Sequence, residues 1–371
     1  MKKLILALAS VALAFASCTQ EAKKEKTLCE AFEDKFLVGA AVNQWQVNTT
    51  DEKLANLIKT EFNCLVAENC MKGEVVSPEE GVWDFKLADE FVDLCEKNKQ
   101  ACYGHCLVWH SQAPKWIFSD KNGNPVDKET LIERMKNHIR TVVGRYKGRV
   151  KSWDVVNEAI EDDGSFRHSP YYNIIGEEFF EIAFKTAQEA DPDCELYYND
   201  YSMDKPAKRD AVVALVKNLR EKGCRVDGVG MQSHVAFDTP LDEYEKTIEA
   251  LEAANCKVMI TELDLSVLPW PNGNQGAEIS NNFEYAKEMD PYKDGLPEEK
   301  EQEVTDFYTK LFDIYLRHAD AIERVNFWGV SDGDSWKNDW PIKGRTDYPL
   351  AFDRNLQPRK FVEAIKALVV K

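Results

Sequence analysis

Val150-Lys-Ser-Trp-Asp-Val-Val-Asn-Glu158 and Lys257-Val-Met-Ile-Thr-Glu-Leu263 are short, largely apolar and β-branched runs, and each carries a glutamate at or near its end. Runs of this length without strict polar alternation suit strands covered on both faces in a parallel sheet. Working outward, the same kind of run recurs at Phe36–Val42, Asn63–Glu68, Ala101–Trp109, Glu195–Asp200, Asp227–His234 and Arg324–Val330. Longer amphipathic segments separate them, the clearest at Lys86–Asn98, Lys128–Tyr146, Glu177–Ala190, Lys205–Glu221, Leu241–Ala254 and Glu298–Arg317. Eight such alternations closed by a helix over Pro358–Val369 predict a single α/β domain, a (β/α)8 TIM barrel over residues 31–371. A doubly wound open sheet is the rival. It announces itself by a glycine-rich phosphate loop after its first strand, and here Asn43-Gln44-Trp45 stands there instead.

In such a barrel the reactive groups project from the C-terminal strand ends, where a substrate cleft opens. Those ends are dense in function: Glu68 and Asn69 with Lys72 beyond; His105, Trp109 and His110; Asp154, Asn157 and Glu158; Asn199, Asp200 and Tyr201; Gln232 and His234; Glu262 and Asp264; Trp328 and Trp336. Burial alone would favour apolar or small side chains there. Glu158 and Glu262 come from the fourth and seventh strands, on opposite sides of one barrel mouth. Two carboxylates so placed can flank a glycosidic bond, one protonating the leaving oxygen while the other acts at the anomeric carbon or on water. A separation of about 5–5.5 Å gives retention and a wider one inversion, and residue spacing leaves that choice open.

Bulk properties fit a neutral ligand. The 371 residues carry a net charge of −18 with 44% hydrophobic and 11% aromatic residues, enough for a large core and unfavourable to nucleic acid. No CxxC pair of zinc-site spacing occurs, and no cofactor or metal is called for. The ten cysteines include several in strand-like apolar runs, where they read as small buried hydrophobes, while a pair such as Cys194 and Cys224 is open to bridging.

Seven strings in barrel order resemble a known family: Glu68-Asn-Cys-Met-Lys72, Gly104-His-Cys-Leu-Val-Trp-His-Ser-Gln112, Trp153-Asp-Val-Val-Asn-Glu158, Tyr198-Asn-Asp-Tyr201, Gly230-Met-Gln-Ser-His234, Ile260-Thr-Glu-Leu-Asp264 and Phe327-Trp-Gly-Val-Ser-Asp332. Together they are similar to the glycoside hydrolase family 10 endo-β-1,4-xylanases. The resemblance implies retaining, endo-acting hydrolysis of xylan, with Glu158 as acid/base and Glu262 as nucleophile. It also implies that His234 supports Glu262 and that Asn157 binds a sugar 2-hydroxyl. Lys72, His105 and Gln232 then contact sugar hydroxyls and the nucleophile in the cleavage subsite, and Glu68 and Asn69 belong to the next one outward. Trp109, Trp328 and Trp336 form the walls, the last two crowding the space a glucosyl hydroxymethyl group would need. Tyr201 joins the substrate-binding set. One departure is Gly73, where many family members carry a larger side chain. Asp154 and Asp264 read as holding their neighbours in place.

Three alternatives differ in what they predict. A carbohydrate-binding protein that has lost turnover would lack one carboxylate or its supports; a metal hydrolase using His105, His110 and Glu262 would lose activity to a chelator; an endoglucanase would cut soluble cellulose faster than xylan. At the N-terminus, Lys2 and Lys3 precede an apolar run from Leu4 to Ala16, which reads as an export signal over residues 1–17, too short to span a bilayer. Phe15-Ala16-Ser17-Cys18 resembles a relaxed lipobox with Cys18 as the lipidated residue, and residues 18–30 read as a tether. The expectation is therefore an exported monomer, attached by its lipid to the bacterial cell envelope.

Overall fold

The computed structural model describes residues 25–271 and 279–369. Eight parallel strands run in chain order: β1 (Leu37–Val42), β2 (Cys64–Ala67), β3 (Ala101–Gly104), β4 (Ser152–Asn157), β5 (Glu195–Asp200), β6 (Gly228–Met231), β7 (Lys257–Leu265) and β8 (Ile322–Phe327). Each pairs with the next, and β8 pairs with β1, which closes the barrel. The expected α/β barrel is what forms, and helices such as Lys86–Asn98 and Glu298–Arg317 keep the bounds their periodicity indicates.

Strand residues alternate between two apolar layers. Outward side chains such as Val38, Ala40, Leu65, Val229 and Val325 pack against the helices in the main core. The inward set is small: Ala41, Cys64, Val66, Tyr103, Tyr197, Met259 and Trp328. Gly104 is required by a close approach, because a Cβ there would stand 2.2 Å from the Trp153 ring. The floor is ionic, with Lys257 bridging Glu195 at 2.5 Å and Glu323 at 3.1 Å. The polar mouth lies at the opposite end.

Three strands depart from the expected bounds in ways that shape the mouth. β3 stops at Gly104 rather than Trp109; residues 105–109 continue as irregular chain fastened to β4 by Leu107 N–H to Asp154 O and Val108 N–H to Val155 O, both 3.0 Å. The sixth run breaks at Gln232-Ser233, where Ser233 takes φ 65°, and His234–Val235 resumes alongside the top of β7. β4 shifts register against β5 between Asp154 and Val156, and β7 shifts against β8 between Ile260 and Leu263. Such irregularities turn a side chain off the strict alternation, and each lies next to one of the two glutamates.

All nine described cysteines are free and buried, so Cys194 and Cys224 are not bridged; their thiols face the carbonyls of Asp191 and Glu181. Cys18 and the expected signal segment lie outside the described residues.

Candidate active site

Glu158 and Glu262 line one cavity of about 150 Å³ at the C-terminal end of the barrel, with Glu68, Asn69, Lys72, His105, Trp109, Gln232, His234, Trp328 and Trp336 in the same wall. Gln112 also lines it, as does Ile279 from the long segment after β7. Tyr201 does not reach this wall. It lines an adjoining cavity of about 660 Å³ with Glu161, Asp204 and Trp270, and His234 borders both.

Glu158 follows β4 with φ 56°, a left-handed backbone that a side chain adopts only at a cost of about 1–2 kcal/mol. Two bonds hold it: its N–H donates to Asn199 O at 2.9 Å, and its carbonyl accepts from Arg167 Nε at 2.8 Å. The carboxyl accepts from Gln232 Nε2 and Trp109 Nε1, each at 2.9 Å. Burial nevertheless dominates. Aided by the nearby charges of Asp200 and Glu262, it pushes the Glu158 pKa up to about 7.

Glu262 is equally enclosed and goes the other way. Burial alone would raise its pKa, but the bond from His234, the charges of His105 and His234, and the amide of Asn199 together hold it below the ordinary value. His234 Nε2 sits 3.2 Å from Glu262 Oε2, and its Nδ1 sits 2.9 Å from Asp264 Oδ2. A ring with carboxylates at both nitrogens donates to both only as the imidazolium. Burial opposes that charge, yet Asp264 and Glu262 outweigh it and raise the His234 pKa. Asp264 also accepts from Trp336 Nε1 at 2.7 Å, fixing that cleft-wall ring.

The remaining side chains fall into supporting places. His105 Nδ1 pairs with Asp154 Oδ2 at 2.9 Å, both buried, so Asp154 steadies a histidine, as its position suggests. Lys72 donates to Asn69 at 2.9 Å and Gln112 at 2.8 Å, and its ammonium lies 4.9 Å from the centre of the Trp109 ring. A Cβ at Gly73 would stand 3.1 Å from Pro114 Cδ, so a larger side chain there needs that ring to shift by a few tenths of an ångström. Asn157 lies beneath the cavity wall. Its Oδ1 accepts from Asn199 at 2.9 Å and its amide donates to Glu158 Oε1 at 3.2 Å.

Two contacts run against the sequence reading. Gln232 serves Glu158, whereas Asn199 supplies the amide to Glu262, at 2.8 Å. Asn199 stood at a strand end in the sequence without being assigned a site role, and its inward position on β5 was the available signal. Trp109, read as a sugar platform, also donates to the acid. Among the described residues no group of three or more His, Cys, Asp or Glu side chains is arranged to hold a metal.

The family model for glycosyl hydrolase family 10 matches residues 27–368. The chain belongs to glycosyl hydrolase family 10. It is 52% identical to endo-1,4-beta-xylanase A of Xylanibacter ruminicola, across 93% of this chain and 94% of that protein. Among solved structures, a family 10 endoxylanase retrieved from a sugarcane soil metagenome superposes with a TM-score of 0.89 at 47% identity, covering 92% of this chain and 99% of that one. Xylanase B from Clostridium stercorarium F9 follows at TM-score 0.83 and 39% identity, with the same coverage of each.

Proposed function

We propose that this family 10 hydrolase cleaves β-1,4-xylosidic bonds within xylan with net retention, Glu158 acting as acid/base and Glu262 as nucleophile. The observation that carries the assignment of roles is the opposite electrostatic setting of two carboxyls in one cavity. Burial holds a proton on Glu158 up to about pH 7, while Glu262 is kept ionised by His234 and Asn199. A protonated acid and an ionised partner across one cavity are what double displacement requires.

In the first step Glu262 attacks the anomeric carbon as the glycosidic C–O bond breaks, and Glu158 delivers its proton to the departing oxygen. The product is a glycosyl ester on Glu262 with Glu158 ionised. Glu158 then takes a proton from water as that water attacks the same carbon, which frees Glu262 and restores the acid. Two inversions leave the β configuration. Lys72, His105 and Asn69 present polar groups to sugar hydroxyls, while Trp109, Trp328 and Trp336 offer flat apolar faces.

Proton NMR of the first product from xylan should show the β-anomer, and early α-product would exclude the mechanism. Faster reducing-sugar release from soluble cellulose than from xylan would overturn the substrate. The same proposal has the enzyme exported and tethered by a lipid on Cys18, a reading supported by the pattern of residues 1–18 alone. Labelled fatty acid should enter the wild-type protein and not Cys18→Ala; equal labelling would reject the anchor.

A further inference from the structure

Behind the nucleophile stands a buried ammonium that the reaction above does not use. Lys337 is 1% exposed, in the short turn Trp336–Asn338 after β8, and among the described residues its Nζ has no hydrogen-bond partner. It lies 3.6 Å from Oδ1 of Asp264, an oxygen that likewise has no hydrogen-bond partner among the described residues. Three tryptophans surround it: Nζ is 4.5 Å from the ring centre of Trp336, 4.8 Å from Trp340 and 5.0 Å from Trp270. Trp336 stacks on Trp340 at 4.6 Å, and Trp270 meets Trp340 edge-on at 5.8 Å, so the rings form a cage. An ammonium withdrawn from water is tolerated only where such ring faces and a carboxylate replace its hydration.

This cage joins the two cavities and the nucleophile. Trp336 belongs to the wall around the carboxyl pair and Trp270 to the adjoining cavity. Asp264 turns one oxygen to Lys337 and the other to His234 and Trp336. Lys337, Asp264, His234 and Glu262 thus alternate in sign from the cage to the reacting carbon. We propose that Lys337 is a positioning residue for the nucleophile: by neutralising Asp264 it leaves the His234 imidazolium to serve Glu262, and by filling the cage it fixes Trp336. The inference rests on the role proposed for Glu262.

The charged groups around this chain set the expected sign. Lys337 faces Asp264, Asp347 and Arg345, and Glu262 faces His234 and His105, with Lys72 and Glu158 across the cavity. Removing the Lys337 charge leaves Asp264 to draw the shared imidazolium toward itself. Glu262 then loses positive field and a strong donor, and ionises at higher pH.

The test is the pH profile of kcat/KM on 2,4-dinitrophenyl β-xylobioside, whose leaving group needs no proton from Glu158, so that its acid limb reports Glu262. In Lys337→Met the limb should move up by about half a pH unit, roughly a threefold loss on the acid side. KM should rise as Trp336 loosens. Lys337→Arg, which keeps the charge, should hold the limb at its wild-type position whatever it does to KM. An unmoved limb in Lys337→Met, or a limb displaced in Lys337→Arg, overturns the proposal, and the arginine variant tests it even where the methionine variant does not fold. Wild-type turnover of this substrate tests the proposed function; the difference between wild type and variants tests Lys337.

Discussion

The side-chain amide of Asn199 donates to Oε1 of Glu262 at 2.8 Å and to Oδ1 of Asn157 at 2.9 Å, tying the nucleophile to the neighbour of the acid. Its own oxygen accepts from Thr261 at 2.7 Å, and Gly230 leaves it room, since a Cβ there would stand 2.2 Å from that oxygen. Asn199→Ala removes one of the bonds that hold Glu262 ionised. A kcat lower by about 10- to 100-fold is expected, with a smaller change in KM. Steady-state kinetics on xylo-oligosaccharides check it. A kcat within about twofold of wild type would show that His234 suffices alone.

Glu262→Ala removes the atom that forms the covalent intermediate. Turnover of xylan should fall by about 10⁴-fold or more. Added azide should restore cleavage of a dinitrophenyl xylobioside, because a small anion can enter the vacated face. The product should be the α-xylobiosyl azide. A β-azide would mean that Glu262 is not the group that attacks.

Glu158 links activity and stability to pH in the same direction. As the acid it must be protonated, so kcat/KM on xylan should fall as pH rises through about 7, where burial places its pKa. Trp109 Nε1 donates to the ionised form and lowers that pKa, so Trp109→Phe should move the basic limb upward. For stability, the folded-state pKa lies above the unfolded value. The contribution is fully present below the unfolded pKa of about 4.3 and is lost as pH rises through about 7. Glu158→Gln, which does not ionise, should lack this loss. Its melting temperature relative to wild type should increase from pH 4.5 to pH 8, as its relative stability grows by an amount on the order of 1–3 kcal/mol. A constant gap would contradict the buried-acid assignment.

How far the sequence reached can be judged from particular residues. Glu158, Glu262, His234, Lys72 and the cleft tryptophans were visible because parallel strands of a closed barrel bring their C-terminal ends to one mouth, so strand position alone places them together. The contacts among them were not visible. Gln232 donates to Glu158 and Asn199 to Glu262, and such pairings depend on side-chain orientation at the mouth, which leaves no mark in the sequence. Tyr201 follows β5 closely enough to be grouped with the site, yet Arg167 donates to its hydroxyl and Lys208 lies 3.9 Å from its ring centre, in the next cavity. Lys337 was passed over because a lysine in a polar loop ordinarily lies in solvent. Only the convergence of Trp336 and Trp340 with Trp270, which comes from a different segment, reveals that it does not.

Trp336 carries the last prediction, on choice of sugar. It walls the cavity, is fixed by its bond to Asp264 at 2.7 Å, and meets His234 at 4.9 Å between ring centres. A ring so held should resist swinging away from a hydroxymethyl group, so the proposed exclusion of glucose should depend on its rigidity as much as on its bulk. Trp336→Ala should lower activity on every substrate, because Asp264 loses a donor and His234 its neighbour. Cello-oligosaccharides should lose less than xylo-oligosaccharides, since they regain space. The ratio of kcat/KM for xylotetraose to that for cellotetraose should fall by about tenfold or more, the scale on which a pocket discriminates one small group. Measuring both substrates on one preparation cancels the shared loss. An unchanged ratio would place the discrimination at Trp328 instead, whose ring meets His105 edge-on at 5.4 Å on the same wall.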